Sequence, residues 1–301
     1  MPDYSHLSGW TPIGFHAGDE PRLEWGDLRN LRFGGPFFED TLNEWRSVSA
    51  ATETTPLAAL DQLDSAPSLD PSLIIAHASR SGSTLLTQLI GALDGTVVIS
   101  EPRLPHVLLR YATAQPSGFA AAAVLRKAVR ALGRIRFGDE RRFVLKLSSP
   151  TTRFLADFRR AFPDTPMIWL QRQPADIVAS WLRKPTPGFG EGLSTDGLSR
   201  AILRRLTLVF LAARAQVSDE MFLLDYRELP DAAWTRVAPF LGVDLTPAEL
   251  ARMQDLARCD AKTGEPFVPS GHDDLPEWIA DAVRETLDPL YEALRGRHRP
   301  F

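Results

Sequence analysis

Short apolar runs alternate with longer helical patterns between residues 72 and 226, and this alternation limits the possible folds more than any other feature. Near-continuous apolar runs of this length are typical of strands buried on both faces of a parallel sheet. There are five: SLIIAHA (72–78), TVVIS (96–100), FVLKL (143–147), PMIWLQ (166–171) and MFLLDY (221–226). The alternation predicts a doubly wound α/β fold, with a mainly parallel five-stranded sheet and helices on both faces.

The segments between the runs carry apolar residues at helical spacing, which predicts a helix in each of them. They are 83–93, 117–135, 149–162 and 198–216. Ser149 and Pro150 are expected to be the N-cap and first-turn residues of the third helix. The stretch 183–197 is rich in Gly, Pro, Ser and Thr, so it should be a loop and a candidate lid.

The stretch ASRSGST (78–84) follows the first apolar run and opens a helical pattern, as a phosphate-binding loop does. In this arrangement, successive backbone N–H groups and the positive end of the helix point at one anion. Ser81, Ser83 and Thr84 would add hydroxyl donors beside Gly82, and Arg80 supplies a positive charge. The lysine of the usual G-x-x-x-x-G-K-[ST] loop is absent, and a plain helix cap after a strand is the alternative.

A second stretch, WLQRQPADIVASWL (169–182), supports the phosphate interpretation. It places Arg172 at the end of a predicted strand and Ser180 eight residues later on the following helix. Both are expected at the carboxyl edge of the sheet, which also carries the loop at 78–84. Arg172 can bind a phosphate with a fork of donors, and Ser180 can add a hydroxyl bond. The two stretches together predict a nucleotide with two separate phosphate groups.

These stretches resemble the signature loops of sulfotransferases that use 3′-phosphoadenosine-5′-phosphosulfate (PAPS). RSGSTLL is similar to the family's 5′-phosphosulfate loop, and RQPADIVAS to its 3′-phosphate motif. FLLDYRELPDAAWTRVAPFLGVDL (222–245) is similar to its strand, tyrosine-containing turn and FLGV helix. The resemblance covers about residues 72–245 and implies PAPS as donor and adenosine 3′,5′-bisphosphate (PAP) as product. A phosphosulfate tail carries less charge than a triphosphate, so no metal is expected.

The resemblance also implies which residues do the chemistry. Arg80 is the first candidate to neutralise the leaving phosphate, and Lys146 in FVLKLSS could stabilise the same oxygen and act as an acid. Ser148 stands where the cytosolic branch of the family has its histidine base. The bacterial and protein-tyrosine branches instead have a glutamate after the second strand, as Glu101 is here, so Glu101 is the expected base. A plain acidic residue at the start of a helix is the alternative.

Four further residues have weaker assignments. Tyr226 resembles the family's tyrosine near the adenine, although a tyrosine at a strand end can equally belong to the core. His106 is the substitute base, whereas His77 is expected to be a core histidine. Lys262 could reach the 3′-phosphate, as a late basic loop does in relatives.

Residues 1–65 lie outside the resemblance and show no strong period before TPLAALDQL, near residue 60. Because the segment contains Trp10, Trp25 and Trp45, it is too aromatic to be disordered. It is expected to pack on the core or to line the acceptor site, with residues 66–301 forming the sulfotransferase-like domain. An independent module is the alternative. The acceptor pocket would draw on this segment, on the helices at 103–140 and on the 183–197 loop.

Composition excludes several classes of partner and location. The chain has 301 residues and a net charge of −4, which gives no reason to expect nucleic acid or an anionic membrane. Its single cysteine, Cys259, cannot form an internal disulfide, so a reducing compartment is expected. The longest apolar stretch, 206–215, is shorter than the ~20 residues of a membrane span, and no signal peptide is visible. These features predict a cytoplasmic protein.

Two other functions stay open at this point. The first is an ATP-dependent P-loop phosphotransferase, which would need a metal pair such as Thr84 and Glu101; the missing loop lysine argues against it. The second is a non-catalytic nucleotide-binding descendant whose acceptor site has decayed, because Ser148 stands where one branch has its base. The acceptor itself, whether a small molecule or a peptide, is not indicated by the sequence.

Overall fold

The computed structural model describes residues 2–48, 51–115, 120–186, 188–266 and 275–297. The chain forms two compact units. The first comprises residues 1–74 and 90–166, and the second comprises residues 75–89 and 167–301. No helix in the described ranges has both the length and the hydropathy that crossing a bilayer requires.

The strands fall into two sheets, and all five predicted strands are present. The strands are β1 (Thr11–His16), β2 (Arg22–Gly26), β3 (Thr52–Pro56), β4 (Leu73–His77), β5 (Thr96–Ser100), β6 (Arg142–Lys146), β7 (Met167–Gln171) and β8 (Phe222–Asp225). The larger sheet has five parallel strands in the order β5-β6-β4-β7-β8, which confirms the predicted fold class. The boundary between the two units falls inside β4, after Ile74.

Helices connect and follow the strands. The α-helices are α1 (Phe38–Val48), α2 (Ala59–Leu63), α3 (Ser83–Gly91), α4 (Arg103–Thr113), α5 (Ala121–Leu132), α6 (Leu155–Ala161), α7 (Pro174–Arg183), α8 (Thr195–Gln216), α9 (Ala238–Phe240), α10 (Pro247–Leu256), α11 (Glu277–Ala282) and α12 (Asp288–Arg295). Short 3₁₀ turns occupy Ser5–Leu7, Ser149–Phe154 and Tyr226–Glu228, and π-helical turns occupy Ala233–Val237 and Val283–Leu287.

The four predicted helices are present with shifted ends. Residues 117–119, where the second was predicted to begin, lie outside the described residues. The predicted cap of the third helix was wrong by one residue: Ser148 is the N-cap, with an extended backbone, and Ser149 is already in the 3₁₀ turn that precedes α6. Pro150 lies in the first turn, as predicted. Proline fits there because its missing N–H would have no partner in the turn.

The strand order identifies the switch point of the sheet. The connection leaving β4 runs towards β5 at one edge, whereas the connection leaving β7 runs towards β8 at the other edge. β4 and β7 are neighbours, and Ala78 N donates to Leu170 O at 3.0 Å just beyond the end of β4. Ligands of open α/β sheets bind beyond the carboxyl ends of strands at such a point. The loop after β4 and the residues after β7 therefore occupy the position where a ligand is expected.

The first unit contains a second, antiparallel sheet in the order β1-β2-β3, which the sequence did not reveal. Trp25 of β2 is fully buried, and its indole N–H donates to Thr55 Oγ1 of β3 at 2.9 Å. Leu7, Leu23 and Trp25 share one hydrophobic core with Leu104 and Leu108 of α4. The N-terminal segment is therefore a folded part of the first unit.

Candidate functional site

The loop after β4 has an unusual backbone. Ser79 (φ 69°), Arg80 (φ 46°) and Gly82 (φ 86°) are all left-handed. Among the described residues, Ser79, Arg80 and Glu101 (φ 55°) are the only non-glycine residues with positive φ. Such strain costs roughly 1–3 kcal/mol per residue and collects at ligand sites. Ser81 lies between two left-handed residues, and such alternation of backbone conformation is typical of an anion nest, in which successive N–H groups face one anion.

His77 supports this loop. It is buried at the end of β4, and its Nδ1 accepts the N–H of left-handed Ser79 at 3.0 Å. The bond helps to hold the strained turn in place.

Gly82 is required by a close approach as well as by its positive φ. A Cβ added there would lie 2.6 Å from Cδ2 of Tyr226 and 2.9 Å from Cε2. These separations are too short for any side chain, so the ring of Tyr226 lies directly against the loop backbone. The loop and the end of β8 are thereby packed together.

The hydroxyl residues of the loop lie at the start of α3. Ser81, Ser83 and Thr84 are all buried. Within the described ranges, Ser81 Oγ is buried without a hydrogen-bond partner. A buried hydroxyl without a partner costs about 1–3 kcal/mol, so an anion that accepts a hydrogen bond from it would be stabilised here.

Arg172 faces this loop. Its side chain is 11% exposed, and its guanidinium carbon lies 4.3 Å from the centroid of the Tyr226 ring. Nη1 donates to the carbonyl oxygen of Arg80 at 3.4 Å, and Nε lies 3.4 Å from Asp176 Oδ2. Loop, tyrosine and arginine therefore form one packed cluster in the second unit, which we call the donor cluster (residues 79–84, Arg172 and Tyr226). Ser180 is half-buried in α7, two turns after Arg172.

The side chain of Arg80 points to a different neighbour. Its Nη2 donates to Lys184 O at 2.6 Å and to Thr186 Oγ1 at 3.3 Å, and its guanidinium lies 5.3 Å from the Trp181 ring. Arg80 thus joins the donor cluster to the chain that follows α7. The predicted loop 183–197 is shorter than expected, because α7 ends at Arg183 and α8 begins at Thr195. Residue 187 lies outside the described residues, and a lid function stays a prediction.

Lys146 and Glu101 form an ion pair in the first unit. Lys146, the last residue of β6, is fully buried, and its Nζ lies 3.1 Å from Glu101 Oε1. The Glu101 N–H donates to Lys146 O at 2.7 Å, which fixes the left-handed residue directly after β5. Burial lowers the pKa of Lys146 from its usual value, and the charge of Glu101 opposes that shift. A buried lysine held by a carboxylate is suited to proton donation or to stabilising an anion.

An aromatic ring from the N-terminal segment covers this pair. The Nζ of Lys146 lies 4.7 Å from the centroid of the Phe37 ring. Phe37 is half-buried and immediately precedes α1. The contact is a cation–π interaction and keeps water from the ammonium.

The remaining candidates have local partners. His106 Nδ1 lies 3.0 Å from Thr151 Oγ1, and its ring packs edge-on against Phe154. Ser148 Oγ lies 2.8 Å from the same Thr151 hydroxyl. Lys262 donates its backbone N–H to Asp260 Oδ1 at 2.9 Å, and residues 267–274, which follow it closely in the chain, lie outside the described residues.

Similar folds occur among the solved structures of sulfotransferases. STF9 from Mycobacterium avium is 16% identical, with 77% of this chain and 78% of that chain covered and a TM-score of 0.50. An Alicyclobacillus acidocaldarius sulfotransferase is 13% identical over 77% of this chain and 98% of its own, with a TM-score of 0.46. Mouse SULT7A1, complexed with PAP, is 13% identical over 78% of this chain and 88% of its own, with a TM-score of 0.44.

No protein-family model and no curated protein matches the sequence. The likeness to the M. avium enzyme establishes that the chain has a sulfotransferase-like fold.

Proposed function

We propose that this protein is a sulfotransferase that moves a sulfuryl group from PAPS to a hydroxyl or amine acceptor. The observation that carries the proposal is the donor cluster. There the Arg172 guanidinium reaches the carbonyl of Arg80 and stacks on Tyr226, whose ring lies against Gly82. A strained anion nest and a largely buried arginine meet beside one aromatic ring, which suits a nucleoside carrying a phosphate at each end.

The residues of the cluster fit this nucleotide. The hydroxyl of Ser81 has no partner within the described ranges and would donate to the 5′-phosphate beside the N–H groups of the loop. Ser83 and Thr84 would add hydroxyls at the start of α3. Arg172 and Ser180 would bind the 3′-phosphate. Tyr226 would lie near the adenosine and keep Arg172 in place.

In the proposed chemistry, bound PAPS supplies an activated sulfuryl group. Glu101 removes the proton from the acceptor oxygen or nitrogen as that atom forms a bond to sulfur. Lys146 stabilises the negative charge on the phosphate oxygen when its bond to sulfur breaks. Arg80 would share that role once its guanidinium leaves Lys184 O and Thr186 Oγ1. Because the pKa of Lys146 is lowered, its ammonium releases a proton more readily and is better suited to protonate the phosphate oxygen. The acceptor proton goes to Glu101, and sulfur changes its bonding partner without any redox change.

Transfer is tested directly with PAPS labelled in the sulfuryl group, in buffer containing EDTA. A panel of phenols, alcohols and amines is offered as acceptors. We expect label in an acceptor with the wild-type protein and a turnover about 10²- to 10⁴-fold lower with Glu101→Gln, because a general base contributes this much. Glu292→Gln is the matched control, since that carboxylate is exposed on α12 and pairs with Arg295. Magnesium-dependent ATP turnover would instead favour the phosphotransferase, and PAP binding without transfer would favour a non-catalytic descendant.

A further inference from the structure

Two polar side chains of the C-terminal helix α12, Asp288 and Tyr291, lie three residues apart and so share a face. Tyr291 is fully buried, and its hydroxyl donates to Asp225 Oδ2 at 2.6 Å. Burial and the Asp225 carboxylate raise the pKa of Tyr291, so the proton stays on the phenol. This is a charge-assisted hydrogen bond in a buried place, where its loss is felt most.

Asp225 fixes the turn that carries Tyr226. As the last residue of β8 it accepts Arg227 N–H on Oδ1 at 3.0 Å, while its own N–H donates to Glu228 Oε2 at 2.8 Å. The two bonds form a capping box around the 3₁₀ turn Tyr226–Glu228. Tyr291 holds the other oxygen of the same carboxylate, so α12 anchors the turn from outside.

A second contact joins α12 to the residue beside Arg172. Asp288 Oδ1 accepts Gln173 Nε2 at 3.4 Å, and Gln173 Oε1 accepts Arg227 Nη2 at 3.2 Å. Gln173 is the N-cap of α7 and follows Arg172 directly. The face of α12 thus connects to the segment of Arg172 and, independently, to the turn of Tyr226.

These two segments meet in the donor cluster, where Arg172 and Tyr226 are stacked 4.3 Å apart. We propose that Asp288 and Tyr291 are positioning residues for the 3′-phosphate: they hold Arg172 and Tyr226 in the stacked arrangement without touching the nucleotide. The inference rests on the proposed function. It also gives the C-terminal helix, which lies outside the predicted binding motifs, a part in donor selectivity.

The test is the ratio of affinities for PAP and for adenosine 5′-monophosphate (AMP), measured by calorimetry without magnesium. Tyr291→Phe removes only the hydroxyl, and we expect it to weaken PAP binding about 5- to 10-fold. AMP lacks the 3′-phosphate, so its affinity should stay within about twofold. Thr235→Val is the matched control, because that hydroxyl donates only to Asp231 O, four residues earlier, at 2.8 Å and its loss should change neither affinity. A merely structural role would lower both affinities together.

Asp288 supplies a second, independent pair of variants. Asp288→Ala should lower the PAP-to-AMP ratio, whereas Asp288→Asn keeps an oxygen for Gln173 and should restore it. If Tyr291→Phe does not fold, the two Asp288 variants test the positioning role on their own. Wild-type selectivity retained by Tyr291→Phe and Asp288→Ala would overturn the inference and leave the proposed function intact. A wild-type protein that binds PAP and AMP equally would overturn the proposed function, and this inference with it.

Discussion

Position 82 needs a glycine for two separate reasons. Its φ of 86° disfavours any side chain, and its α-carbon faces the Tyr226 ring so closely that a methyl group would overlap Cδ2. Gly138 has a similar φ of 82° but nothing within 4 Å of its added Cβ. Alanine substitutions at the two glycines therefore distinguish the cost of backbone strain from the cost of a clash with the Tyr226 side chain.

We predict that Gly82→Ala weakens PAP binding at least about 10-fold, because Tyr226 and with it Arg172 must move. Gly138→Ala should cost about 1–2 kcal/mol of unfolding free energy from strain alone and leave PAP affinity unchanged. Calorimetric titration and urea unfolding of both variants check this. Equal PAP affinity for Gly82→Ala and the wild type would show that the ring contact does not order the donor cluster.

Lys146 is the residue whose ionisation should be visible in stability. Its pKa is lowered in the folded protein, mainly by burial, so between that pKa and about 10.5 the unfolded chain binds more protons. The free energy of unfolding therefore rises with pH across that window, and the contribution is lost as pH falls through the folded pKa. Lys146→Met removes this dependence.

The wild-type unfolding free energy minus that of Lys146→Met should grow as pH rises from the folded pKa of Lys146 towards about 10.5, as measured by urea unfolding at several pH values. Lys127→Met is the control, because Asp61 raises the pKa of Lys127 and its contribution stays constant until pH passes the unfolded value. Parallel profiles for the wild type and Lys146→Met would contradict a lowered pKa at this position.

At the scale of elements, the sequence revealed the five strands that form near-continuous apolar runs and missed the three that do not. β4 and β7 are buried at every position and form continuous apolar runs. β3 is TETTP with one buried residue, and the pairing of β1 with β2 shifts between Pro12 and Gly14. Neither pattern gives a period of two that is recognisable in the sequence.

The residues of the candidate site were likewise only partly predictable from the sequence. The contact between the loop and Arg172 could be anticipated, because the sequence placed both at the carboxyl edge of the sheet. The contact between Phe37 and Lys146 and the bond between Tyr291 and Asp225 could not, since they join residues more than 60 positions apart without a motif. Such contacts depend on how the elements pack, which spacing along the chain does not encode.

Phe37 allows a test of whether the N-terminal segment contributes to the proposed acceptor site. Phe37→Ala should raise the acceptor KM about 10-fold or more, because the ring that covers the Lys146 ammonium is lost from the proposed acceptor side. PAP affinity should change less than about twofold. Steady-state kinetics with an acceptor identified in the panel gives the KM, and Val48→Ala, at an 84% exposed position, is the control. An unchanged KM would remove residues 1–65 from the proposed acceptor site.

At the scale of the whole molecule, the strand order β5-β6-β4-β7-β8 explains why distant stretches of sequence meet. The loop at 79–84 and Arg172 follow β4 and β7, the two neighbours between which the connections diverge. This strand order therefore places both stretches at one switch point, which is where the proposed donor nucleotide would bind.

The most direct measurement is a calorimetric comparison of PAP and AMP, without magnesium, for the wild type and Arg172→Ala. We predict that the wild type prefers PAP and that Arg172→Ala loses about 1.5–3 kcal/mol of PAP binding, the value of a charged hydrogen bond. The same variant should bind AMP as the wild type does, since the lost contact is to the 3′-phosphate. Equal wild-type affinities for the two nucleotides, or an equal loss for both in Arg172→Ala, would contradict a donor cluster built for two phosphate groups.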